Sequence, residues 1–269
     1  MSSILLWVAL SLATIVTIIS FADHFSEADV LVSLFAVGVF FAQAAILLLI
    51  VWWIRPRSWR LTRQYALTAF IVGALIAVSV ASVLPDVSST LDAFGIAVQA
   101  GIQEEFVKLA SVVFILAIVS RTRPVRPMEG LIIGFLVGAG FDAFENLTYG
   151  LGANADSSLS AILVRGIVGF GFHGLWAGIS GWAVAFAWSQ RPRAWWVAVI
   201  GLIVAIALHI SWDASAVAGA GDSLILLIVT AVVTILAFVV LRIWAGRIDR
   251  DAERLDRVDR PDGSSDEDR

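Results

Sequence analysis

The sequence contains no cysteine. That excludes disulfides, thiolate nucleophiles and zinc–thiolate sites, and it leaves the redox compartment open. Charge is also scarce: 15% of the 269 residues are charged, against about a quarter in an ordinary soluble domain. No stretch between the apolar runs is long enough to hold a soluble domain. The net charge of −4 averages over those runs and gives no basic footprint for a nucleic acid. What the chain does have is apolar surface: 59% of its residues are hydrophobic, and the mean hydropathy is +0.91. These values imply an integral membrane protein whose first partner is the lipid bilayer.

A spanning helix needs ~20 apolar residues. Eight segments qualify, at about 4–22, 30–54, 64–84, 95–120, 128–150, 161–188, 194–217 and 223–245. The expected fold class is therefore all-α, a polytopic membrane protein of about eight transmembrane helices. Residues 1–245 form a single helical domain, and 246–269 a charged, disordered tail. The first run, Ile4 to Phe21, lacks the basic start of a signal peptide and is read as a retained helix. Arginine marks every second loop: Arg55, Arg57, Arg60 and Arg63, then Arg121, Arg123 and Arg126, then Arg191 and Arg193. The alternate loops hold acids and no basic residue. By the positive-inside rule both termini then face the cytoplasm.

An ionisable side chain inside a bilayer is costly and marks a functional site by default. Four consecutive spans carry such groups. The fourth has Glu104, Glu105 and Lys108; the fifth ends in Phe141-Asp142-Ala143-Phe144-Glu145-Asn146. The sixth has His173, and the seventh His209 and Asp213. A four-helix core, about 92–217, is expected to hold them, with the other spans as a jacket. At 1.5 Å per residue, Glu104, His173 and His209 fall roughly 12–15 Å below the outer surface, and Glu145 and Asp213 roughly 6 Å below it. They form one layer toward the extracytoplasmic side. Glu104 and Lys108 share a helix face at i,i+4, and Glu105 reaches Lys108 at i,i+3. Paired carboxylates in a low dielectric suit general acid–base chemistry. His209 and Asp213, also at i,i+4, can face one metal together or orient one another. Arg165 reads as an interfacial side chain near the outer end of its helix, or as the partner of an acid or a substrate.

In their order along the chain, Glu104-Glu105-Phe106-Val107-Lys108, Phe141-x-x-x-Glu145-Asn146, His173 and His209-x-x-x-Asp213 resemble the motifs of the PrsW family of membrane proteases. The likeness covers about 104–213. It is looser with the wider group of CAAX-processing and bacteriocin-immunity proteases. There an Arg stands one residue beyond Lys108 and a His replaces Glu145, so prenylated substrates are not implied. The resemblance implies a membrane-embedded endopeptidase that cuts a membrane-anchored protein, of the anti-sigma-factor kind, on its extracytoplasmic side. Glu104, alone or with Glu105, is then the general base, with Lys108, Asn146 and Asp213 assisting. Glu145, His173 and His209 either hold a divalent metal, zinc first, or supply polar stabilisation without one; two His and a carboxylate make a catalytic zinc set. Rival readings are a rhomboid-type serine site at Gly178-Ile179-Ser180-Gly181, a proton- or cation-coupled transporter, and a non-catalytic scaffold. The sequence carries no signal for oligomeric state.

Overall fold

Backbone groups in hydrocarbon have no water to bond, so an apolar run of this length must satisfy itself as helix. The computed structural model describes residues 30–55, 63–84, 90–151, 165–190, 194–217 and 220–258. The expected first span, 4–22, lies outside them. Every regular element among the described residues is helical. In chain order these are α1 (Val30–Ile54), α2 (Arg63–Ile71), a π-helical stretch (Val72–Ala77) running into α3 (Val78–Val83), α4 (Ala93–Val119), α5 (Pro127–Leu151), α6 (Phe172–Ser189), α7 (Trp195–Val217) and α8 (Ala220–Val258).

Local chemistry sets several ends. Asp92 caps α4, its carboxylate accepting from the Gly95 N–H at 2.8 Å. Pro127 opens α5, where its missing N–H costs nothing. Glu129 in the same first turn accepts from the Arg126 N–H at 3.2 Å and pairs with Arg123. At the last turn of α1, the Ile54 carbonyl accepts from Arg242 of α8 at 2.7 and 3.2 Å, which ties those two helices together.

Five helical stretches are long and apolar enough to cross a membrane: Leu34–Ile54, Gln64–Ala81, Pro127–Tyr149, Trp195–Ser215 and Ser223–Ala252. α4 falls short because Glu104, Glu105 and Lys108 interrupt it. α6 has only 18 residues, about 27 Å of rise. The sequence predicts that span from 161; among the described residues 165–167 are helical, the helix breaks at 168–171, and α6 begins at Phe172 after Gly171 in the left-handed region at φ 81°. Glycine alone takes that conformation without strain, and the chain turns there. α8 does the opposite: at 39 residues it carries part of the charged segment, from Gly246 to Val258, as helix.

α5 is the centre, with its whole apolar window buried. α6 lies flush against it. A Cβ on Gly134 would collide with the Ala177 carbonyl, and one on Gly138 with the carbonyl of His173. These absent methyl groups let the two backbones touch, as small residues do in membrane interfaces. α4 and α7 reach the site from the α6 side and pack on one another, while α1, α2 and the π-helical stretch also lie directly on α5, where a Cβ on Gly140 would collide with the Phe70 carbonyl and one on Gly73 with that of Val137.

Candidate active site

α4 delivers its three charged groups to the core. Lys108 is the chain's single lysine, and it is fully buried. Its ammonium lies 2.8 Å from Glu105 Oε1, 3.3 Å from Glu104 Oε2 and 2.6 Å from His173 Nδ1. The Phe141 ring stands 4.1 Å away, a cation–π contact in a desolvated place. A buried cation survives only with such partners, since desolvation costs several kcal/mol per ion. With the ammonium donating to Nδ1, the His173 ring proton sits on Nε2, which lies 3.2 Å from Glu145 Oε2.

α7 brings His209 to the other side. Its Nδ1 is 3.0 Å from Glu105 Oε1, and its Nε2 is 3.4 Å from Asp213 Oδ2 and 3.8 Å from Glu104 Oε2. Trp176 stacks on the His209 ring at 4.6 Å and 19°, and Trp176 Nε1 donates to Thr234 of α8 at 3.2 Å. The two imidazoles meet edge to face, with centroids 4.9 Å apart. One ligand atom each from Glu104, His173 and His209 lies within 4.8 Å of the others. The carboxylate in reach of both imidazoles is thus Glu104. Glu145, which the sequence reading groups with the histidines, touches His173 and bonds Arg165 Nη2 at 2.6 Å.

The structure shows Arg165 as the partner of an acid, the second of its two sequence readings, and adds Gln43 and Asp142, to which sequence reasoning gave no site role. Arg165 pairs with Glu145, donates from Nε to Asn146 Oδ1 at 3.0 Å and covers the Tyr149 ring at 4.2 Å. Asn146 Nδ2 in turn donates to Gln43 Oε1 of α1 at 3.4 Å. Gln43 is buried and its Nε2 has no hydrogen-bond partner among the described residues; one amide in an apolar run is its only signal. Asp142 is 2% exposed and accepts from the Gly171 N–H at 3.0 Å. It fastens the turn two residues before His173.

A cavity of about 520 Å³ opens beside the cluster. Arg165, Asn146, His173 and Asp213 line it together with Phe172, Trp212 and Leu224. Glu104 keeps 15% of its side chain exposed, whereas Glu105 keeps none. Ser180, the rival nucleophile, is fully buried and spends its hydroxyl on the Ala177 carbonyl at 3.2 Å. No general base touches it among the described residues.

No curated protein matches the chain, and no solved structure does. A family model described as "PrsW family intramembrane metalloprotease" matches residues 61–242. That range takes in α2 to α7 and most of α8's apolar part, with every residue of the cluster. Acids, imidazoles and a cavity brought together by helices that cross a membrane agree with that description: the chain belongs to the PrsW family of intramembrane metalloproteases.

Proposed function

We propose that this integral membrane protein hydrolyses a peptide bond of a membrane-anchored protein close to the outer leaflet, with Glu104 as the indispensable carboxylate. The observation that carries this reading is the position of Glu104: beside both imidazoles and 15% exposed, while its neighbour Glu105 is sealed against Lys108. Glu104 takes the proton of an attacking water and returns it to the leaving amine. Glu105 holds His209 through Nδ1, and Glu145 holds His173 through Nε2. Asn146 and Arg165 present hydrogen-bond donors toward the cavity, where charge develops on the scissile carbonyl.

The donor set suits a divalent cation, because one carboxylate and two imidazoles offer ligand atoms within 4.8 Å of one another. Glu104, His173 and His209 would hold it, with zinc as the first choice; since Glu145 already takes His173 Nε2, the Lys108 ammonium would have to give up Nδ1. When bound, such a cation supplies a water whose pKa falls to about 7. Glu104 is then a ligand; without a cation it is the base. The arginine-marked loops support cytoplasmic termini, and with them a site facing the extracytoplasmic side. A stem next to a membrane anchor, as in an anti-sigma factor, is the substrate class that this depth favours.

The test uses purified protein in sealed vesicles with a mixture of synthetic single-span peptides carrying extracytoplasmic stems. Mass spectrometry should find cleavage near the outer end of the span, and Glu104→Gln should abolish it with the fold intact. Ion flux lost in Glu104→Gln, without cleavage by the wild type, would favour the transporter instead. Metal analysis of wild type, His173→Ala and His209→Ala decides the cation: equal, negligible metal in all three removes zinc.

A further inference from the structure

Most of α1 is turned away from the core. Ala36, Gln43, Ala44, Leu47 and Val51 are its buried residues among those described, spaced as one helix face. Gln43 is the one polar side chain in that face. The face meets α5: Phe40 packs edge to face on Phe144 at 6.2 Å, and one turn later Gln43 reaches Asn146. α1 lies outside residues 61–242, the range of the family match, so that match gives Gln43 no role.

A side-chain amide can point either way, and its neighbours decide which. Arginine has donors and no acceptor. Arg165 Nε therefore turns Asn146 Oδ1 toward itself, at 3.0 Å, and sends Nδ2 toward Gln43. Gln43 must answer with Oε1, at 3.4 Å. Its own Nε2 is left beside Gly166, without a partner among the described residues. An orphaned buried N–H costs more than an interhelical amide bond returns in a membrane. For stability alone, an apolar side chain would serve α1 as well. What Gln43 supplies is direction. Asn146 lines the cavity, and its amide has two N–H groups. With Oδ1 held by Arg165 and one N–H held by Gln43, the second N–H keeps a single heading.

We propose that Gln43 is a positioning residue of the hydrolytic site: by holding Asn146 Nδ2 it aims the remaining N–H of that amide at the cavity, where charge develops on the scissile carbonyl. This deepens the hydrolytic reading above and rests on it. The working unit then includes α1. Without the Gln43 acceptor, the Asn146 amide swings about its last side-chain bond while Oδ1 stays near Arg165. Removing an oxyanion donor outright costs about 10²–10³ in kcat, so loosening one should cost about tenfold.

The amide can be read directly, apart from cleavage. The chain holds two asparagines, Asn146 and Asn154. Labelling asparagine alone with heavy nitrogen therefore gives two side-chain NH2 signals by NMR of the full chain in detergent, and Asn154→Ser assigns them. In Gln43→Leu the Asn146 NH2 protons should exchange with solvent at least tenfold faster than in the wild type. In sealed vesicles with the single-span peptides, the same variant should lose about tenfold in kcat with KM within twofold, and should unfold within a few degrees of the wild type. Gln43→Glu keeps an acceptor at the same reach and should retain at least half of the wild-type kcat. An unchanged Asn146 signal in Gln43→Leu overturns the proposal. So does a changed signal with wild-type kcat, or equal loss of kcat in the two variants. A fall in kcat matched by a fall in unfolding temperature overturns it too, since a plain helix clamp behaves that way. The protease reading survives each of these as long as the wild type cleaves. A changed signal without cleavage by any version supports the hold of Gln43 on Asn146 and overturns the protease reading.

Discussion

Glu104 and Glu105 are chain neighbours, yet they belong to two different halves of one polar core. The inner half, Glu105 with Lys108 and His209, is closed: all three side chains are at most 2% exposed. The outer half is half-open, with Glu104 at 15%, Asp213 at 30% and Arg165 at 31%. Both halves hold at least one carboxylate and a cation, so composition does not separate them. Access does. A sealed pair acts as a strut, since its charges are spent on each other, whereas a partly exposed carboxylate can meet water and substrate. One helix serves both needs, because successive residues on α4 point ~100° apart.

The comparison can be broken most heavily at the strut. Glu105→Ala strips the buried ammonium of its closer carboxylate and leaves only Glu104 at 3.3 Å, and breaking a buried pair costs ~3–5 kcal/mol; thermal unfolding in detergent should drop by many degrees, and Lys108→Met in the same chain should recover part of the loss. Next comes the outer cation. Arg165→Met releases both Glu145 and Asn146, so cleavage of single-span peptides should fall roughly tenfold or more, while Arg165→Lys should recover little, because one point charge cannot serve both partners. A smaller effect is expected at Thr234→Val, which orphans the indole N–H behind His209. An unmatched buried donor costs about 1–3 kcal/mol, read as lower stability with modest loss of activity. The smallest is Ser180→Ala: cleavage should stay at the wild-type level, and its loss would revive the serine-protease alternative.

Much of this core is legible in the sequence because ionisable groups stand out against apolar runs. Glu104, Glu105, Lys108, Glu145, His173, His209 and Asp213 are conspicuous for that reason, and helical spacing correctly puts Lys108 within reach of both glutamates. Partners across helices are less legible. Arg165 looks like a side chain reaching for the interface, since nothing in its local sequence reveals that α5 presents Glu145 to it. Gln43 carries no charge and hides in α1. Trp176 and Phe141 read as ordinary apolar residues, though they wall His209 and Lys108. The run Gly166, Gly169, Gly171 reads as a packing stripe like Gly174, Gly178 and Gly181. Only the positive φ at Gly171 separates a turn from a helix face, and that is a property of the backbone rather than of residue spacing.

The most direct test sets Glu104→Gln beside Glu105→Gln in the same vesicles, with unfolding temperature and peptide cleavage measured on each. The account predicts that Glu104→Gln unfolds like the wild type and loses cleavage by roughly 10²–10⁴-fold, while Glu105→Gln is the less stable protein and keeps measurable cleavage below its unfolding temperature. Cleavage surviving in Glu104→Gln but lost in a folded Glu105→Gln would contradict it.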